Sequence, residues 1–342
     1  MKQIHIHTPA YFKYLLLAVC CFSLHACHPD HENLYPGYST SGHKIYNEYG
    51  AIQLIGANAF HIFGAGSRDM NSWNMDIARE FIGNMKQAPV SGPPILENNG
   101  AYLHSMQAVA DSNRLHKRVT IFCAFGWDGT PATVFSGLRP PITAWWTEYK
   151  SRLREWAIQF KNQSDVWIEP WNEPYRYDRA DGYSDDIWMN DMTELVAVIR
   201  ETGNKNIILI PGAEQGQDES VLLNKGSLFL LQKQNILFDI HAYEKWLLST
   251  PTEIESRLTE LNRYNLPVIF GETAPMNASV LMNPQSFLDA AYNKGFSVCA
   301  WTWKYDGNDQ DALLTGTGIP NDNNNNNWGS FYRGLAARTR KP

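Results

Sequence analysis

The sequence is poor in cysteine, poor in charge and without a long apolar run. Only five of its 342 residues are cysteine, and 19% are charged. Acidic residues outnumber basic ones, 35 against 29, so the formal net charge is −6 and nucleic acid is a poor partner. No stretch approaches the roughly 20 continuous apolar residues of a membrane-spanning helix, so no permanent span is expected.

The sequence is instead rich in aromatic residues. It contains 12 Trp, 16 Tyr and 15 Phe within a chain that is 44% hydrophobic, which is enough apolar material for one large globular domain. Aromatic rings pack on the apolar faces of neutral ligands, and sugars have such faces. We therefore expect a polysaccharide or oligosaccharide partner, bound by a monomer.

The first 26 residues resemble an export signal peptide. Lys2 and Lys13 both precede an apolar run that ends at Leu24. The segment Leu24-His25-Ala26-Cys27 is similar to the cleavage box of bacterial lipoproteins, although its histidine is unusual there. The resemblance implies a lipid on Cys27, a tether over residues 27–45 and an outer-membrane, cell-surface or periplasmic location. A plain secretory signal cut nearby is the alternative.

The cysteines do not predict a disulfide framework. Cys20 and Cys21 leave with the signal peptide, and Cys27 is the candidate for lipidation. Only Cys123 and Cys299 remain for the fold. We expect both to be buried thiols, because the strands assigned to them below are not neighbours in a closed barrel.

From about residue 50, short β-rich runs alternate with longer amphipathic stretches, which is typical of repeated βα units. Eight strands are predicted, at residues 52–58, 81–88, 118–125, 166–171, 206–211, 236–241, 267–272 and 296–303. Eight parallel strands in roughly 290 residues predict a single-domain (β/α)₈ barrel, an α/β fold, over residues 46–342. Any active site then lies at the carboxyl ends of the strands.

Two glutamates, Glu173 and Glu272, stand at the ends of predicted strands four and seven. A single strand-end glutamate more often caps a helix or forms an ion pair. Two facing carboxyls suit glycoside hydrolysis, because one protonates the leaving oxygen while the other attacks the anomeric carbon. Glu169 lies on the same strand face as Glu173 but deeper in the barrel, where we expect it to support the site.

The motifs around these acids resemble those of glycoside hydrolase family 5. Trp171-Asn172-Glu173-Pro174 is similar to its acid/base motif, and Phe270-Gly271-Glu272 is similar to its nucleophile motif. The resemblance implies that Glu173 is the general acid/base and Glu272 the nucleophile. It also implies sugar-binding roles for Asn172, His241, Tyr243, Trp301 and Trp303, to which Trp127 is added as an aromatic residue in an open loop.

Two strand ends depart from that family pattern. The family usually has an arginine at the end of strand two and a histidine at the end of strand three. The corresponding stretches here read Lys86-Gln87-Ala88-Pro89 and Ala124-Phe125-Gly126-Trp127. The predicted substitutes are His61 or Arg68 in the loop after strand one, and Gln87 as a hydrogen-bond donor.

The predicted activity is retaining, endo-acting hydrolysis of a β-1,4-glucan, mannan or xyloglucan through a glycosyl-enzyme intermediate. We expect the two carboxyls to lie about 5 to 5.5 Å apart. No metal or other cofactor is expected, because His241 is the one histidine clearly placed at a strand end. The alternative is a noncatalytic glycan-binding lipoprotein on a glycosidase-like barrel, which would not need both acids.

Overall fold

The computed structural model describes residues 37–63, 68–92, 95–96, 102–180, 182–304, 310–322 and 327–338. The predicted signal peptide, Cys27 and the first part of the predicted tether lie outside these residues. In the part of the chain that is described, no helix has both the length and the apolar character needed to cross a membrane.

Eight parallel strands close into a barrel in which each strand pairs with the next in chain order. They are β1 (Ile55–Ala59), β2 (Ile77–Ile82), β3 (Val119–Ala124), β4 (Val166–Glu169), β5 (Ile208–Pro211), β6 (Ile236–Ala242), β7 (Val268–Thr273) and β8 (Ser297–Ala300). The pairing of Cys299 with Gly56 joins β8 to β1. All residues of these strands are buried, as in a parallel sheet that is covered outside and filled inside. The predicted (β/α)₈ barrel is confirmed.

Helices cover the outside of the barrel. Those in the described residues are α1 (Met106–Leu115), α2 (Trp146–Phe160), α3 (Asp185–Arg200), α4 (Ser227–Gln232), α5 (Glu244–Leu247), α6 (Pro251–Arg263), α7 (Gln285–Asn293) and α8 (Trp328–Ala336). Their buried residues recur at helical spacing: in α2, Tyr149, Leu153 and Trp156 face the barrel. At the start of α6, Thr250 and Glu253 form a capping box that satisfies free backbone donors.

Strand two lies earlier in the chain than predicted. The prediction placed it at residues 81–88, whereas β2 is Ile77–Ile82 and residues 85–87 form a turn. Arg79 and Glu80 interrupt the apolar pattern and hid the strand. Both charges are nevertheless buried, because Arg79 pairs with acids inside the barrel and Glu80 pairs with His61 behind it.

Residues at the end of the predicted tether belong to a small antiparallel sheet. Its strands are Ser39–Ser41, Lys44–Asn47 and Gly50–Ile52. Ile45 is buried in this sheet, and the ring of Tyr38 packs edge-on against Trp167 with 5.6 Å between centroids. The ordered domain therefore begins before residue 46.

The barrel interior has an apolar and a polar layer. The apolar layer includes Ile121, Trp167, Leu209 and Cys299. Cys299 and Cys123 are both buried free thiols, as predicted. Nearer the carboxyl ends of the strands the interior becomes polar and charged, and this layer forms the floor of the site described next.

Candidate active site

Arg79 on β2 is the centre of the polar layer and is fully buried. Its Nε and Nη2 donate two parallel hydrogen bonds of 2.7 Å each to the carboxylate of Glu169, at the end of β4. Nη1 donates to Oε1 of Glu272 over 2.7 Å and to Oδ1 of Asn58 over 2.9 Å. Nη2 also donates to Oδ1 of Asn172 over 2.8 Å. The strand-two arginine of the family pattern is therefore present, and it is Arg79. The predicted strand began at residue 81 and did not include it.

The buried charges of this layer depend on one another. Burial by itself lowers the pKa of Arg79, but the acidic groups around it, including Glu169 and Asp239, hold that pKa well above its usual value. Burial also raises the pKa of Glu169 to about 8, with Arg79 opposing the rise. Removing the guanidinium would leave buried carboxylates without a counter-charge, which is strongly destabilising.

Glu173 and Glu272 face each other across the mouth of the barrel with His241 of β6 between them. Nδ1 of His241 lies 2.8 Å from Oε1 of Glu173 and 3.6 Å from Oε2 of Glu272. An oxygen of Glu173 and an oxygen of Glu272 lie within 4.8 Å of one another. The side chain of Glu173 is 16% exposed and that of Glu272 is 5% exposed. The two carboxyls can therefore act on the same bound bond.

Both oxygens of Glu272 are held by donors. Arg79 donates to Oε1, and the hydroxyl of Tyr243 donates to Oε2 over 2.8 Å. Burial raises the pKa of Glu272 above its usual value, while His241, Arg79 and Tyr243 oppose that rise. The donors therefore favour the ionised carboxylate that a nucleophile requires.

His241 is surrounded by carboxylates. Its Nε2 lies 3.5 Å from Oδ2 of Asp239, on the side opposite to Glu173. Burial by itself lowers the pKa of His241, but Glu272, Asp239 and Glu173 raise it well above its usual value. The protonated imidazole is therefore favoured, and its Nδ1 can donate to Oε1 of Glu173.

Asp239 explains the glycine of the Phe-Gly-Glu motif. The backbone N–H of Gly271 donates to Oδ1 of Asp239 over 2.6 Å. A Cβ on Gly271 would lie 2.2 Å from a carboxylate oxygen of Asp239. The close approach that orients Asp239 toward His241 thus requires glycine at this position.

The two tryptophans after β8 have different environments. Trp301 is partly exposed at the barrel mouth and contacts the rings of Phe60 and Phe81 edge-on, with 5.7 and 5.0 Å between centroids. Trp303 is 1% exposed and packs edge-on against Trp73 at 5.1 Å. The ring of Trp301 is therefore accessible to a ligand, whereas the ring of Trp303 packs in the protein interior.

Three other predicted sugar-binding residues lie among different partners. His61 is buried and pairs with Glu80. Gln87 is exposed in a turn, where its backbone and side chain bond Asn84. Trp127 is 5% exposed and stacks on Trp145 at 5.3 Å. The hydrogen bonds, ion pairs and ring contacts described for these three residues include neither catalytic glutamate.

Two residues absent from the sequence prediction form a chain of hydrogen bonds that ends on Glu173. Ser136, in the loop between β3 and α2, donates a hydrogen bond of 2.6 Å to Oε2 of Glu173. Gln215, in the loop after β5, donates to the Ser136 hydroxyl over 2.6 Å. No sequence motif marks them, since loop conformation alone brings them to the site.

Two side-chain sets in the described residues have the spacing of metal ligands, Glu169-Asp239-His241 and Glu173-His241-Glu272. Arg79 already supplies a positive charge to the acids of the first set. The second set consists of the two facing glutamates and the histidine between them. Neither set needs a metal ion to balance its charge, because Arg79 and His241 carry that role.

A (β/α)₈ barrel with facing glutamates at the ends of β4 and β7 is the arrangement of a barrel glycoside hydrolase. The family model described as "Cellulase (glycosyl hydrolase family 5)" matches residues 139–307. The chain is 25% identical over 169 residues to a mannan endo-1,4-beta-mannosidase of Cellvibrio japonicus. It is 22% identical over 295 residues to the beta-mannanase/endoglucanase A of Caldicellulosiruptor saccharolyticus. The matches span 48% and 84% of this chain, but 38% and 20% of those two relatives.

Solved structures share the fold. A beta-mannanase from Streptomyces thermolilacinus superimposes with a TM-score of 0.68 at 17% identity, over 90% of this chain and 98% of that one. An endoglucanase catalytic domain from Thermobifida fusca gives 0.62 at 15% identity, over 88% and 97%. These structures show the fold, whereas the family model and the curated relatives indicate a glycoside hydrolase and confirm the resemblance to family 5. A noncatalytic glycan-binding protein is not favoured.

Proposed function

We propose that this protein is a retaining, endo-acting β-glycosidase that hydrolyses β-1,4-linked mannan. The supporting observation is the spacing of Glu173 and Glu272, which have oxygens within 4.8 Å of one another. Retaining enzymes place their two carboxyls about 5 to 5.5 Å apart, whereas inverting enzymes need about 6.5 to 9.5 Å to admit a water molecule. The short separation favours direct attack by Glu272.

In the first step, Glu272 attacks the anomeric carbon as a carboxylate held by Arg79 and Tyr243. Glu173 donates its proton to the glycosidic oxygen, the carbon–oxygen bond breaks and the leaving sugar departs as an alcohol. A glycosyl ester on Glu272 results. Arg79 and Tyr243 need not move during this step, since they are already hydrogen-bonded to the attacking group.

In the second step, Glu173 acts as a base. Ester formation removes the negative charge of Glu272, and Glu173 has just lost its proton. Glu173 then takes a proton from a water molecule, which attacks the anomeric carbon and releases Glu272. Two inversions at one carbon leave its configuration unchanged.

The choice of mannan follows from the names of the two curated relatives, both of which include mannan hydrolysis. The second relative is also named an endoglucanase, so β-1,4-glucan is the next candidate. Xyloglucan is the third. Trp301, partly exposed beside Phe60 and Phe81, is a ring on which the sugar C–H face of any of these polymers can stack.

The test is hydrolysis of mannan, β-1,4-glucan and xyloglucan by the purified protein and by three variants. Glu272→Ala and Glu173→Ala remove the two acids, and Glu194→Gln removes a surface carboxylate that pairs with Lys150. We expect cleavage of mannan by the wild type and Glu194→Gln and almost none by the other two. No cleavage of any polymer by the wild type would overturn the proposed activity.

Two product measurements test the finer parts of the proposal. Proton NMR during the first minutes should detect the β anomer of the new reducing end, and initial release of the α anomer would overturn retention. Endo action should produce a range of oligosaccharides and a rapid fall in viscosity. Release of a single small sugar from the first time point would overturn it.

We also propose that the protein is exported and held at a membrane by a lipid on Cys27. The support is the resemblance of residues 24–27 to a lipoprotein cleavage box. Cys27→Ser should move the protein from the membrane fraction to the soluble fraction and abolish incorporation of labelled palmitate. Cys20→Ser, within the signal region, is the control. A Cys27→Ser protein that remains membrane-bound would contradict the anchor.

A further inference from the structure

The carboxyl group of Glu173 is held on one side by a residue of a loop and on the other by a residue of a strand. Its Oε1 lies 2.8 Å from Nδ1 of His241, and its Oε2 accepts a 2.6 Å hydrogen bond from Ser136. The backbone takes part as well, because the N–H of Gly137 donates to the Glu173 carbonyl over 2.7 Å. Residues 136–137 thus fix both the main chain and the side chain of the acid/base.

The proton of the Ser136 hydroxyl is directed toward Glu173. Nε2 of Gln215 donates to its oxygen over 2.6 Å. A hydroxyl that accepts from an amide N–H keeps its single proton for a second partner, and here that partner is Glu173. Gln215 therefore donates to Ser136, and Ser136 donates to a carboxylate oxygen of Glu173.

The loop that delivers Gln215 is held in an unfavourable backbone conformation. Glu214 and Gln215 both have positive φ, 52° and 55°, although neither is glycine. Such a conformation is unfavourable for a non-glycine residue and persists where surrounding contacts impose it. The N–H of Gln215 bonds the carbonyls of Pro174 and Tyr175, directly after Glu173. The side chain of Glu214 is anchored by ion pairs from the neighbouring loops.

The same turn also positions the second partner of the acid. Gly216 has a φ of 79°, and a Cβ there would lie 3.0 Å from Cγ of the His241 ring. The N–H of His241 donates to the Gly216 carbonyl over 2.9 Å. Residues 214–216 thus govern both neighbours of Glu173, His241 by backbone contact and Ser136 by the Gln215 amide.

We propose that Ser136 and Gln215 are positioning residues for the general acid/base, and that they hold Glu173 in its catalytic orientation. This inference rests on the proposed function. The loop after strand three contributes the serine, and the stretch that corresponds to the family's usual strand-three histidine reads Ala124-Phe125-Gly126-Trp127. Neither Ser136 nor Gln215 belongs to the acid/base or nucleophile motif.

The test compares substrates that differ in their need for an acid. Without a proton from Glu173 the polymer would have to leave as a poorly stabilised alkoxide, whereas 2,4-dinitrophenolate is stable enough to leave unprotonated. We would measure kcat/KM for Ser136→Ala, Ser136→Thr and Gln215→Met on mannan and on a 2,4-dinitrophenyl β-mannoside. Thr133→Val is the control, because it removes a hydroxyl of the same loop that bonds Asp128.

Ser136→Ala should lower kcat/KM on mannan by about 10- to 100-fold, the usual effect of losing one hydrogen bond to a charged group. On the dinitrophenyl substrate the loss should stay within about threefold, since the attack step does not use the acid. Ser136→Thr should recover most of the activity, and Gln215→Met should lie between.

If Ser136→Ala has the kinetics of the wild type on both substrates, the inference alone is overturned. Equal losses on both substrates, accompanied by a lower melting temperature, would also overturn it, because they indicate a structural role. Absence of wild-type activity on every substrate would instead overturn the proposed function and this inference with it. Melting temperatures of Gln215→Met and Ser136→Thr, measured by circular dichroism, show whether a loss of activity comes from a structural role or from lost positioning.

Discussion

Tyr243, directly after β6, donates a hydrogen bond of 2.8 Å to Oε2 of Glu272, the oxygen opposite the one held by Arg79. The hydroxyl favours the ionised nucleophile, so Tyr243→Phe should raise the pKa of Glu272 further. We expect kcat/KM to fall by about 10- to 100-fold. Because the nucleophile must be ionised, the acidic limb of the pH–rate profile should move to higher pH.

The control for this substitution is Tyr332→Phe. Tyr332 is also fully buried, and its hydroxyl donates to the carbonyl of Gly56 over 2.6 Å, away from both catalytic glutamates. It should lower the melting temperature without moving the acidic limb. An unchanged acidic limb in Tyr243→Phe would contradict the role assigned to the tyrosine.

Arg79 should be essential to both stability and activity. Arg79→Met removes the counter-charge of Glu169, Asp239 and Glu272, and breaking a buried ion pair by losing one partner typically costs about 3 to 5 kcal/mol. Arg79→Lys keeps the charge but loses the bidentate hydrogen bond to Glu169. Its free energy of unfolding should therefore lie between those of the wild type and Arg79→Met. Urea unfolding measures both effects.

The Arg79→Met protein should also become more stable as the pH is lowered from neutral. The pKa of Glu169 is already raised by burial in the wild type, and without the opposing guanidinium it should rise further above its unfolded value. A group shifted in this direction stabilises the fold below its unfolded pKa, and that contribution is lost as pH rises through the folded pKa. A stability of Arg79→Met that is independent of pH would contradict the assignment of Arg79 as the counter-charge.

The sequence predicts the barrel and the two facing glutamates because each acid directly follows an apolar strand within a compact motif. Arg79 was missed for a physical reason: a strand that carries an arginine and a glutamate side by side does not look apolar. The signal available in the sequence was that adjacent residues of a strand point to opposite faces of the sheet. One of the two charges therefore points into the barrel and the other toward α1. Ser136 and Gln215 had no such signal, because their positions depend on loop conformations set by contacts distant in sequence.

His61 and Glu80 should affect stability and leave catalysis intact. Burial by itself raises the pKa of Glu80, but His61 and Asn113 lower it below its usual value. Glu80→Gln should therefore lose about 1 to 3 kcal/mol at neutral pH. Since the folded pKa is lowered, the contribution is present above the usual carboxyl pKa and is lost as pH falls through the folded value.

Chemical unfolding of wild type and Glu80→Gln between neutral and acidic pH checks this, with the two curves converging at the acidic end. The exposed Glu194→Gln variant should change stability by less than about 0.5 kcal/mol at any pH. A large rise in KM for mannan in His61→Ala, at unchanged melting temperature, would restore His61 as a sugar-binding residue.

The two tryptophans after β8 should separate into a binding and a packing role. Trp301 is partly exposed, so Trp301→Ala should raise KM for mannan about tenfold, the effect of roughly 1.4 kcal/mol of lost stacking. Trp303 is buried against Trp73, so Trp303→Ala should lower the free energy of unfolding by about 3 to 5 kcal/mol. At a temperature where Trp303→Ala remains folded, its KM should match the wild type. The reverse assignment, with KM changed by Trp303→Ala and not by Trp301→Ala, would mean that the sugar enters beside Trp73.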